Sequence, residues 1–545
     1  MPAQSQPRSG GSTEPQVLRP ADPPATSLRS VAELTGARFA PHDRRSADAA
    51  LAAAALDDIR VTGIEQRSNA VRPGDLFAGL AGERAHGARF AHDAVARGAV
   101  AVLTDAAGAD LIGAIEVPVL VRDDPRAVLG ALSSALYGDP SRRLRIIGIT
   151  GTSGKTTTSY LVEAGLTAAG LRTALIGTIE TRIGGVRVPS ALTTPEAPQL
   201  HAMFAVMVER GVQAVVMEVS SHALALGRVD GVEFAVGAFT NLSQDHLDFH
   251  ADFEDYYAAK RRLFDPASPV GAATSVICVD DAWGRRLAGE IEQRTHIVTV
   301  STTQPAHWTA ADVTAGPGGT QSFTAARGAL NVPVRLRLPG DYNIANGLLA
   351  VAVCEAAGVD PAAAAAALGE VDVPGRMQRV DRGQDFLAVV DYAHKPAAVE
   401  SVIATLRTYL AEQGAGGRLA VVVGAGGDRD AGKRPLMGAA GARGADLLII
   451  TDDNPRGEDP AAIRAAVRAG ADALPEGQRG EVREVGDRAA AIAAAVDWAR
   501  PGDAVLVAGK GHETGQEISG VKYPFDDREV LAAALSEKTK DLTVS

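Results

Sequence analysis

Short apolar runs alternate with amphipathic stretches from residue 144 onwards, and this rhythm predicts parallel α/β sheets. In the first such region, strands are predicted at Ile146–Ile149, Thr173–Ile176, Val212–Met217, Phe234–Phe239 and Ser275–Val279. The rhythm returns after Pro374, with strands predicted at Leu387–Val390, Leu419–Val423, Leu447–Ile450 and Ala504–Val507. Strands separated by helices favour doubly wound, largely parallel sheets. Between the two regions, residues 296–338 are rich in Thr, Gly and Val and predict further β structure.

The first 143 residues predict a smaller α/β domain behind a tail. Residues 1–27 are rich in Pro, Ser, Gly and Gln. We expect this tail to be disordered, because it has too few apolar groups to offset the entropy of ordering. Together the patterns predict three domains, at 28–143, 144–373 and 374–545.

Composition narrows the class of protein. The 545 residues carry 54 Lys and Arg against 66 Asp and Glu, a net charge of −12, which argues against general binding to nucleic acid or anionic membranes. The two cysteines, Cys278 and Cys354, exclude a disulfide framework and a cysteine-based zinc site. The chain has neither a run of about 18 apolar residues nor a secretory pattern at its N-terminus. We therefore expect a cytoplasmic, multidomain enzyme without membrane insertion.

The strongest local signal is a glycine-rich loop that follows the strand predicted at Ile146–Ile149. A loop of this kind between a strand and a helix directs backbone N–H groups at phosphate oxygens. Lys155 is placed to contact the outer phosphates, and Thr156 is placed to ligate Mg²⁺. The loop has Ile149 where the usual phosphate-binding loop has its first glycine. The residues predicted to bind ATP here are Gly151, Thr152, Ser153, Gly154, Lys155, Thr156 and Thr157.

Polar residues follow two further strands of this predicted sheet. Glu218 ends one strand and His222 follows it closely, while the segment Thr240–His246 follows the next. Carboxyl ends of parallel strands meet at one edge of a sheet, so we expect these groups to face one crevice. An acidic residue in this position is a candidate Mg²⁺ ligand. For His222, a structural role and a role in the site are equally consistent with the pattern.

The last domain repeats this arrangement at four strand ends. Its glycines do not form a dinucleotide-binding fingerprint, because Arg429 occupies the last glycine position of the G-x-G-x-x-G frame that starts at Gly424. Four charged strand ends predict a second ligand-binding edge. They are the segments Asp391–His394, Gly424–Arg429, Thr451–Arg456 and Gly509–Glu513.

These motifs resemble those of the Mur ligases of peptidoglycan synthesis over nearly the whole chain after the tail. The resemblance rests on Thr150–Thr157, Glu218–His222, Thr240–His246 and Leu338–Asn346. It implies a small α/β domain for the uridine diphosphate end of the substrate, a central ATPase domain and a Rossmann-like domain that brings the amino acid. It also implies a monomer that forms an amide bond through an acyl phosphate, with ATP and Mg²⁺.

The resemblance assigns roles residue by residue. The catalytic residues it implies are Lys155, Glu218, His246 and Lys260, with Glu218, His246, Thr156 and a carbamylated Lys260 holding Mg²⁺. From pattern alone, Lys260 is a helix-surface lysine. Further nucleotide contacts are implied for Asn343, Asn346, Asp391 and His394. Contacts to the UDP-muramoyl-dipeptide are implied for Ser68, Thr193, Thr194, Ser220 and Arg228.

Two segments of the last domain, Gly424–Met437 and Asp453–Arg456, resemble the branch of the family that adds meso-diaminopimelate. This substrate resembles lysine with an extra distal carboxylate, so its site needs both a cation and an acid. The residues implied to bind it are Arg429, Asp453, Asn454, Arg456, Gly509 and Glu513. The first domain departs from the family pattern, since Arg67-Ser68-Asn69 replaces the usual Asp-Ser-Arg.

Three alternatives remain beside this prediction. A lysine-adding ligase of the same family would be expected to lack Arg456. A ligase like folylpolyglutamate synthetase would lack the muramoyl-substrate motifs and the Asp453–Arg456 segment. A nucleotide-dependent switch would have no need of the charged edge in the last domain, and would hydrolyse ATP without both substrates.

Overall fold

A computed structural model describes residues 18–40, 56–82, 84–188, 190, 192–246, 249–316, 319–414 and 416–544. The chain divides into two compact units. The first contains the residues up to 155, together with 169–298 and 356–358. The second contains 156–168, 299–355 and the residues from 359 onwards. Residues 1–17 of the predicted tail lie outside the described residues.

The first unit begins with a small, mostly parallel sheet. Its strands are β1 (Thr26–Ser27), β2 (Arg38–Phe39), β3 (Arg60–Val61), β4 (Gly63–Glu65), β5 (Asp75–Ala78), β6 (Ala101–Thr104) and β7 (Val119–Val121). The sheet has the order β2-β7-β6-β5-β4, with β2 antiparallel to its neighbour, while β1 pairs with β3. The helices are Leu28–Thr35, Ala91–Ala96, Ala106–Ile112 and Arg126–Leu136, with 3-10 turns at Ser68–Ala70, Gly87–Phe90 and Pro140–Arg143.

Residues 18–27, which the composition assigns to the tail, pack against this sheet. Arg19 donates hydrogen bonds to the hydroxyl of Tyr137 at 2.6 Å and to Asp75 at 2.9 Å. Ser27 caps the first helix by accepting a hydrogen bond from the backbone N–H of Ser30 at 3.2 Å. Composition does not reveal this packing, because it depends on hydrogen bonds from the guanidinium of Arg19 to two polar side chains that are distant in sequence.

A larger sheet completes the first unit. Its strands are β8 (Arg145–Thr150), β9 (Thr173–Ile176), β10 (Thr181–Ile183), β11 (Val186–Val188), β12 (Ala214–Glu218), β13 (Val236–Phe239), β14 (Thr274–Cys278) and β15 (His296–Ser301), the end of which belongs to the second unit. The order β11-β10-β9-β12-β8-β13-β14-β15 has a parallel centre from β9 to β14. Its helices are Ala197–Glu209, Ser221–Ala225, Phe253–Arg261 and Ala282–Ile291.

The helix Lys155–Ala168 starts at the end of the first unit and continues in the second. The second unit has three antiparallel strands, β16 (Trp308–Ala315), β17 (Gln321–Arg327) and β18 (Leu330–Leu336), followed by the helices Asp341–Ala356 and Pro361–Leu368. These strands agree with the β structure predicted for residues 296–338.

A six-stranded sheet forms the rest of the second unit. Its strands are β19 (Gln378–Arg379), β20 (Leu387–Asp391), β21 (Leu419–Val423), β22 (Leu447–Ile450), β23 (Glu481–Glu484) and β24 (Ala504–Ala508), in the order β19-β20-β24-β21-β22-β23. All neighbours are parallel except β19 with β20. The helices are Pro396–Glu412, Lys433–Gly444, Pro460–Asp472, Arg488–Trp498 and Asp527–Val544, with a 3-10 turn at Glu476–Gln478 and a hairpin of β25 (Gly515–Ile518) and β26 (Val521–Pro524).

Both faces of this sheet are covered by apolar cores, which explains its sequence pattern. Every residue of β20, β21, β22 and β24 is buried. A strand buried on both faces has a continuous apolar run rather than alternation, as the sequence predicted. The polar residues that follow these strands therefore lie along one edge of the sheet. Within the described part of the chain, no helix is long and apolar enough to span a membrane.

Candidate active site

The glycine-rich loop joins β8 to the helix that begins at Lys155. Gly151 and Gly154 have φ angles of 147° and 85°, which residues other than glycine rarely adopt. A Cβ atom at Gly151 would lie 1.8 Å from the hydroxyl of Thr240. The loop N–H groups of Thr152 and Ser153 donate to the backbone and side-chain oxygens of Asn241 at 2.9 and 3.0 Å. The end of β13 therefore holds the loop in shape.

Two lysines converge on the carbonyl oxygens of this loop. The ammonium of Lys155 donates to Gly151 at 3.0 Å and to Thr152 at 2.9 Å. That of Lys260 donates to Gly151 at 2.8 Å and lies 4.6 Å from the centre of the Tyr256 ring. At the start of the helix that follows the loop, Thr156 and Thr157 are both buried.

The interpretation of Lys260 as a helix-surface lysine is wrong, because its side chain is 1% exposed. The helix Phe253–Arg261 turns this side chain toward the loop, and sequence periodicity does not reveal that packing. Burial lowers the pKa of Lys260 well below its usual value, and the cation of Lys155 lowers it further.

Glu218 ends β12, and its carboxylate is fully buried. The carboxylate accepts hydrogen bonds from the backbone N–H and the hydroxyl of Thr178, both at 2.9 Å. The hydroxyl of Thr178 also lies 3.1 Å from that of Thr193. Glu218, a predicted Mg²⁺ ligand, and Thr193, a predicted substrate residue, thus both contact Thr178. The sequence analysis did not identify Thr178.

Two further predicted substrate residues lie beside the same strand end. The hydroxyl of Thr194 donates to the backbone oxygen of Glu218 at 2.8 Å and accepts from the N–H of Ser220 at 3.2 Å. Ser220 in turn caps the short helix Ser221–Ala225. The structure therefore brings Thr193, Thr194 and Ser220 together around Glu218.

The remaining predicted substrate residues lie elsewhere in the first unit. Arg228 forms an ion pair with Glu196 at 2.7 Å. Ser68 opens a 3-10 turn beside Arg67, whose guanidinium contacts the fully buried carboxylate of Glu65 at 3.1 Å. Arg67, which departs from the family pattern, thus supplies a counter-charge for a buried acid.

The two histidines singled out by the sequence lie in one aromatic cluster. The ring of His222 stacks on Phe249 with centroids 4.0 Å apart and meets His246 edge-on at 4.9 Å. His246 has a φ of 52°, and its backbone N–H donates to Asp245 at 2.9 Å. The described residues contain no group of three or more His, Cys, Asp or Glu side chains that could hold a metal ion. The Mg²⁺ ligand set stays a prediction, since it also draws on a threonine hydroxyl and a modified lysine.

Asn343 and Asn346 lie on the inner face of the helix Asp341–Ala356, and both are buried. The amide of Asn346 donates to Asn343 at 3.0 Å and accepts from the hydroxyl of Thr158 at 3.3 Å. Asn343 donates to the backbone oxygen of Pro339 at 2.7 Å. These bonds fix both amides relative to the helix that follows the phosphate loop.

The end of β20 carries Asp391 and, after it, His394. Burial raises the pKa of Asp391, although its carboxylate accepts backbone hydrogen bonds at 2.7 and 2.8 Å. Burial lowers the pKa of His394 to about 4. Between them, the ring of Tyr392 lies 4.6 Å from the guanidinium of Arg376 and 4.9 Å from the ring of His512. Sequence reasoning did not identify Arg376 or Tyr392 as members of this cluster.

Four of the six residues predicted to bind diaminopimelate meet where β22 and β24 end. Asn454 donates to Glu513 at 2.9 Å, and a Cβ atom at Gly509 would lie 2.7 Å from a carboxylate oxygen of Asp453. The ammonium of Lys510 is fully buried and lies between Asn454 and Glu513, at 3.0 and 3.2 Å. Lys510 belongs to a motif that the sequence singled out, but it received no role there.

Arg456 and Arg429, the two predicted cations, differ in their surroundings. Arg456 has a φ of 53°, and its guanidinium donates to the backbone oxygen of Gly427 at 2.7 Å. The same guanidinium lies 3.5 Å from the carboxylate of Glu517 in β25. Arg429 lies on the exposed stretch that follows β21. Arg456 is therefore held in place by neighbours, whereas Arg429 is open to solvent.

A fully buried ion pair supports this edge of the sheet. The guanidinium of Arg488 contacts both carboxylate oxygens of Asp527 at 2.7 Å, and neither side chain is exposed. Arg488 also donates to the backbone oxygens of Ala508 at 3.0 Å and Asp452 at 3.3 Å. It thereby ties together the ends of the two strands that precede Gly509 and Asp453.

Comparison with known proteins identifies the family to which these domains belong. Three family descriptions match: the catalytic domain of the Mur ligase family at residues 60–137, the Mur ligase middle domain at 149–354, and the glutamate ligase domain of Mur ligases at 375–511. A UDP-N-acetylmuramoyl-L-alanyl-D-glutamate–2,6-diaminopimelate ligase of Corynebacterium glutamicum is 56% identical, over 85% of this chain and 89% of its own.

The chain belongs to the Mur ligase family. This confirms the family and the three-domain α/β fold that the motifs predicted. A protein of the same name from Streptomyces avermitilis is 52% identical to this Mur ligase, over 96% of this chain and 99% of its own. A solved structure of a ligase of that name is 31% identical, with a TM-score of 0.65, and the match covers 94% of this chain and 99% of that one.

Proposed function

We propose that this Mur ligase joins meso-diaminopimelate to UDP-N-acetylmuramoyl-L-alanyl-D-glutamate with ATP, in the synthesis of peptidoglycan precursors. The observation that carries the proposal is the cluster of Asp453, Asn454, Gly509 and Glu513 at one sheet edge, with Arg456 on the same segment as Asp453 and Asn454. The chain is 52–56% identical to relatives named for this reaction. Those relatives are matched over most of their length, so the name describes proteins of the same domain content.

The proposed chemistry has two steps. A carboxylate of the dipeptide attacks the γ-phosphorus of ATP, so ADP leaves and an acyl phosphate forms. The amine of the diamino acid then attacks the acyl carbon, and inorganic phosphate leaves as the amide forms. Phosphoryl transfer depends mainly on positioning and on neutralising charge. The ammonium of Lys155 suits that task, because it lies against the phosphate loop.

The donor set fits Mg²⁺ if Lys260 is carbamylated. Mg²⁺ prefers oxygen ligands, which the carboxylate of Glu218 and the hydroxyl of Thr156 provide, with His246 as a nitrogen ligand. A carbamate on Lys260 would add oxygen ligands and replace a cation by an anion. Burial lowers the pKa of Lys260, which favours the neutral amine that reacts with CO₂. When bound, the metal would neutralise charge on the phosphates.

The amino-acid site distinguishes between two diamino acids. Arg456 suits the distal carboxylate of meso-diaminopimelate, because a guanidinium binds carboxylates with two parallel hydrogen bonds. Glu513 suits the distal ammonium, with Asp453, Asn454 and Gly509 around it and Arg429 as a second cation. Lysine would leave Arg456 without that partner. Sites built on such polar contacts reject the analogue that lacks the group by about 10⁴-fold.

The other ligands follow the same edges of the two large sheets. We assign Asn343, Asn346, Asp391 and His394 to the nucleotide, and Thr193, Thr194, Ser220 and Arg228 to the muramoyl dipeptide. Ser68 is assigned to the uridine end. Because ATP and a UDP-linked precursor are substrates, we place the reaction in the cytoplasm, and we expect a monomer.

Product analysis tests the proposal. The chain is incubated with ATP, Mg²⁺, the UDP-muramoyl dipeptide and a panel of diamino acids, and the products are identified by mass spectrometry. We expect the meso-diaminopimelate adduct, and phosphate release only when both acceptor and amino acid are present. Comparable kcat/KM for L-lysine would favour the lysine-adding alternative, and activity on a folate acceptor would favour the folylpolyglutamate synthetase-like one. ATP hydrolysis without both substrates would favour a switch.

A variant gives the residue-level test. Arg456→Ala should lose most of the preference for meso-diaminopimelate over L-lysine, because its guanidinium carries the discrimination. Arg443→Ala, which removes an exposed arginine on the helix Lys433–Gly444, serves as the matched control and should keep the preference. Unchanged selectivity in Arg456→Ala would contradict the assignment of the distal carboxylate.

A further inference from the structure

The ammonium of Lys510 is a fully buried charge at the predicted amino-acid site. Its side chain is 0% exposed, and it follows Gly509, whose φ is 120°. It lies 3.0 Å from the side-chain oxygen of Asn454, 3.2 Å from Glu513 and 3.9 Å from Asp453. A buried ammonium is retained only where hydrogen bonds and counter-charges compensate its desolvation. Here the compensating groups are residues assigned to the substrate.

The hydrogen bonds around Lys510 fix which atoms face a ligand. The side-chain oxygen of Asn454 accepts from Lys510 and from the backbone N–H of Glu517, both at 3.0 Å, so the amide can point its nitrogen only at Glu513. Among the described residues, both hydrogen bonds to the Glu513 carboxylate end on Oε2. Oε1 is therefore the oxygen of Glu513 that could accept a hydrogen bond from a ligand.

The charges around Lys510 also favour a positively charged ligand. Asp453 and Glu513 are two carboxylates beside the cation of Lys510. Asp453 also lies 4.0 Å from the guanidinium of Arg488, which is itself paired with Asp527, so these five groups together carry one negative charge. A single ammonium from a ligand balances that charge. Without Lys510, the two carboxylates would repel each other, and the amide of Asn454 would lose one of the two donors that orient it.

We infer that Lys510 is a positioning residue that orients Glu513 and Asn454 for the distal ammonium of the diamino acid. The inference rests on the proposed function. Lys510 acts through these two side chains and does not itself contact the substrate. Its removal should therefore weaken binding of the diamino acid while leaving the nucleotide and the UDP-muramoyl dipeptide unaffected.

Steady-state kinetics of four proteins test this: the unmodified chain, Lys510→Met, Glu513→Gln and the double variant. Lys510→Met should raise the KM for meso-diaminopimelate about 10- to 100-fold, the loss expected for charge-assisted hydrogen bonds. The KM values for ATP and the dipeptide should stay within about twofold. Lys522→Met, at an exposed lysine of the adjacent hairpin, is the matched control and should change none of the three. Equal increases in all three KM values, or a change below about twofold for the diamino acid, would overturn the inference.

The double variant decides whether Lys510 acts through Glu513. Residues that act as a unit give non-additive effects. The double variant should therefore match Glu513→Gln within about threefold in its KM for the diamino acid. If Lys510→Met does not fold, the comparison of the double variant with Glu513→Gln still tests the inference. The double variant removes the cation of Lys510 together with one of its carboxylate partners, so it leaves fewer unpaired charges buried. Multiplied effects in the double variant would refute the mechanism. If the unmodified chain forms no product from meso-diaminopimelate, the proposed function itself fails, whereas normal product with an unchanged KM in Lys510→Met rejects only this inference.

Discussion

Breaking the buried pair of Arg488 and Asp527 should cost several kcal/mol in the stability of the last domain, because one charge would remain buried without its partner. Both contacts measure 2.7 Å, and neither side chain is exposed. Burial by itself would lower the pKa of Arg488, but the carboxylate of Asp527 outweighs that effect and the net shift is upward. The carboxylate of Asp527 therefore favours the charged form of the guanidinium.

The substitution Asp527→Asn keeps the shape of the side chain and removes its charge. It leaves a buried cation whose other hydrogen-bond acceptors are the backbone oxygens of Ala508 and Asp452, at 3.0 and 3.3 Å, with the carboxylate of Asp453 4.0 Å away. Neutral carbonyls, and a carboxylate that Lys510 also approaches, compensate the buried charge poorly, so we expect a loss of about 3–5 kcal/mol in the free energy of unfolding. The double substitution Arg488→Met with Asp527→Leu should be less destabilising, because no unpaired charge remains.

Urea unfolding, followed by circular dichroism, measures the effect. A control pair on the same sheet is Arg483 with Glu481, in contact at 2.6 Å but 41% and 53% exposed. Glu481→Gln should change the free energy of unfolding by at most about 1 kcal/mol. If Asp527→Asn is no more destabilising than Glu481→Gln, burial does not set the strength of the pair and the reasoning is refuted.

Three other predictions concern backbone strain, pH and the buried lysine. Gly375 has a φ of 64°, and a Cβ atom there would lie 2.1 Å from the backbone nitrogen of His512, so Gly375→Ala should lower the free energy of unfolding by about 3 kcal/mol or more. The control is Gly383→Ala, at a φ of 85° with open space around it, which should lower the free energy of unfolding by about 1 kcal/mol. Equal losses in the two variants would contradict the steric argument. Burial lowers the pKa of His201 to about 4. Because the unfolded chain binds a proton at this histidine from about pH 6.5 downwards, the free energy of unfolding should fall as the pH drops from about 6.5 to 4. His201→Leu should therefore make the urea midpoint less dependent on pH between these values, and an unchanged dependence would contradict this role of His201. Lys260→Ala should lower kcat at least about 100-fold, with partial rescue by short carboxylic acids that stand in for a carbamate but not by excess CO₂, and near-normal activity in bicarbonate-free buffer would exclude the carbamate.

Local patterns were sufficient for the elements and for the positions of the motifs. The strands Thr173–Ile176, Leu419–Val423 and Leu447–Ile450 have the bounds that the sequence predicts. A strand buried on both faces is apolar throughout, and a phosphate-binding loop needs glycines where the backbone approaches the phosphates, so both signals can be found by local inspection of the sequence. The polar residues after each strand then follow from the parallel order.

Contacts between distant residues could not be predicted in this way. Lys260 is buried because one helix face meets the phosphate loop, Arg19 is ordered because it reaches Tyr137 and Asp75, and Lys510 joins two segments that are 56 residues apart. Burial of a charge depends on which counter-charges the fold brings near it, and local periodicity contains no record of them. The sequence by itself therefore determined the family, the strands and the chemical groups at their ends. Only the tertiary structure decided which of those groups are buried, which carry partners and which share a charge, because desolvation and Coulomb energies depend on distances across the fold.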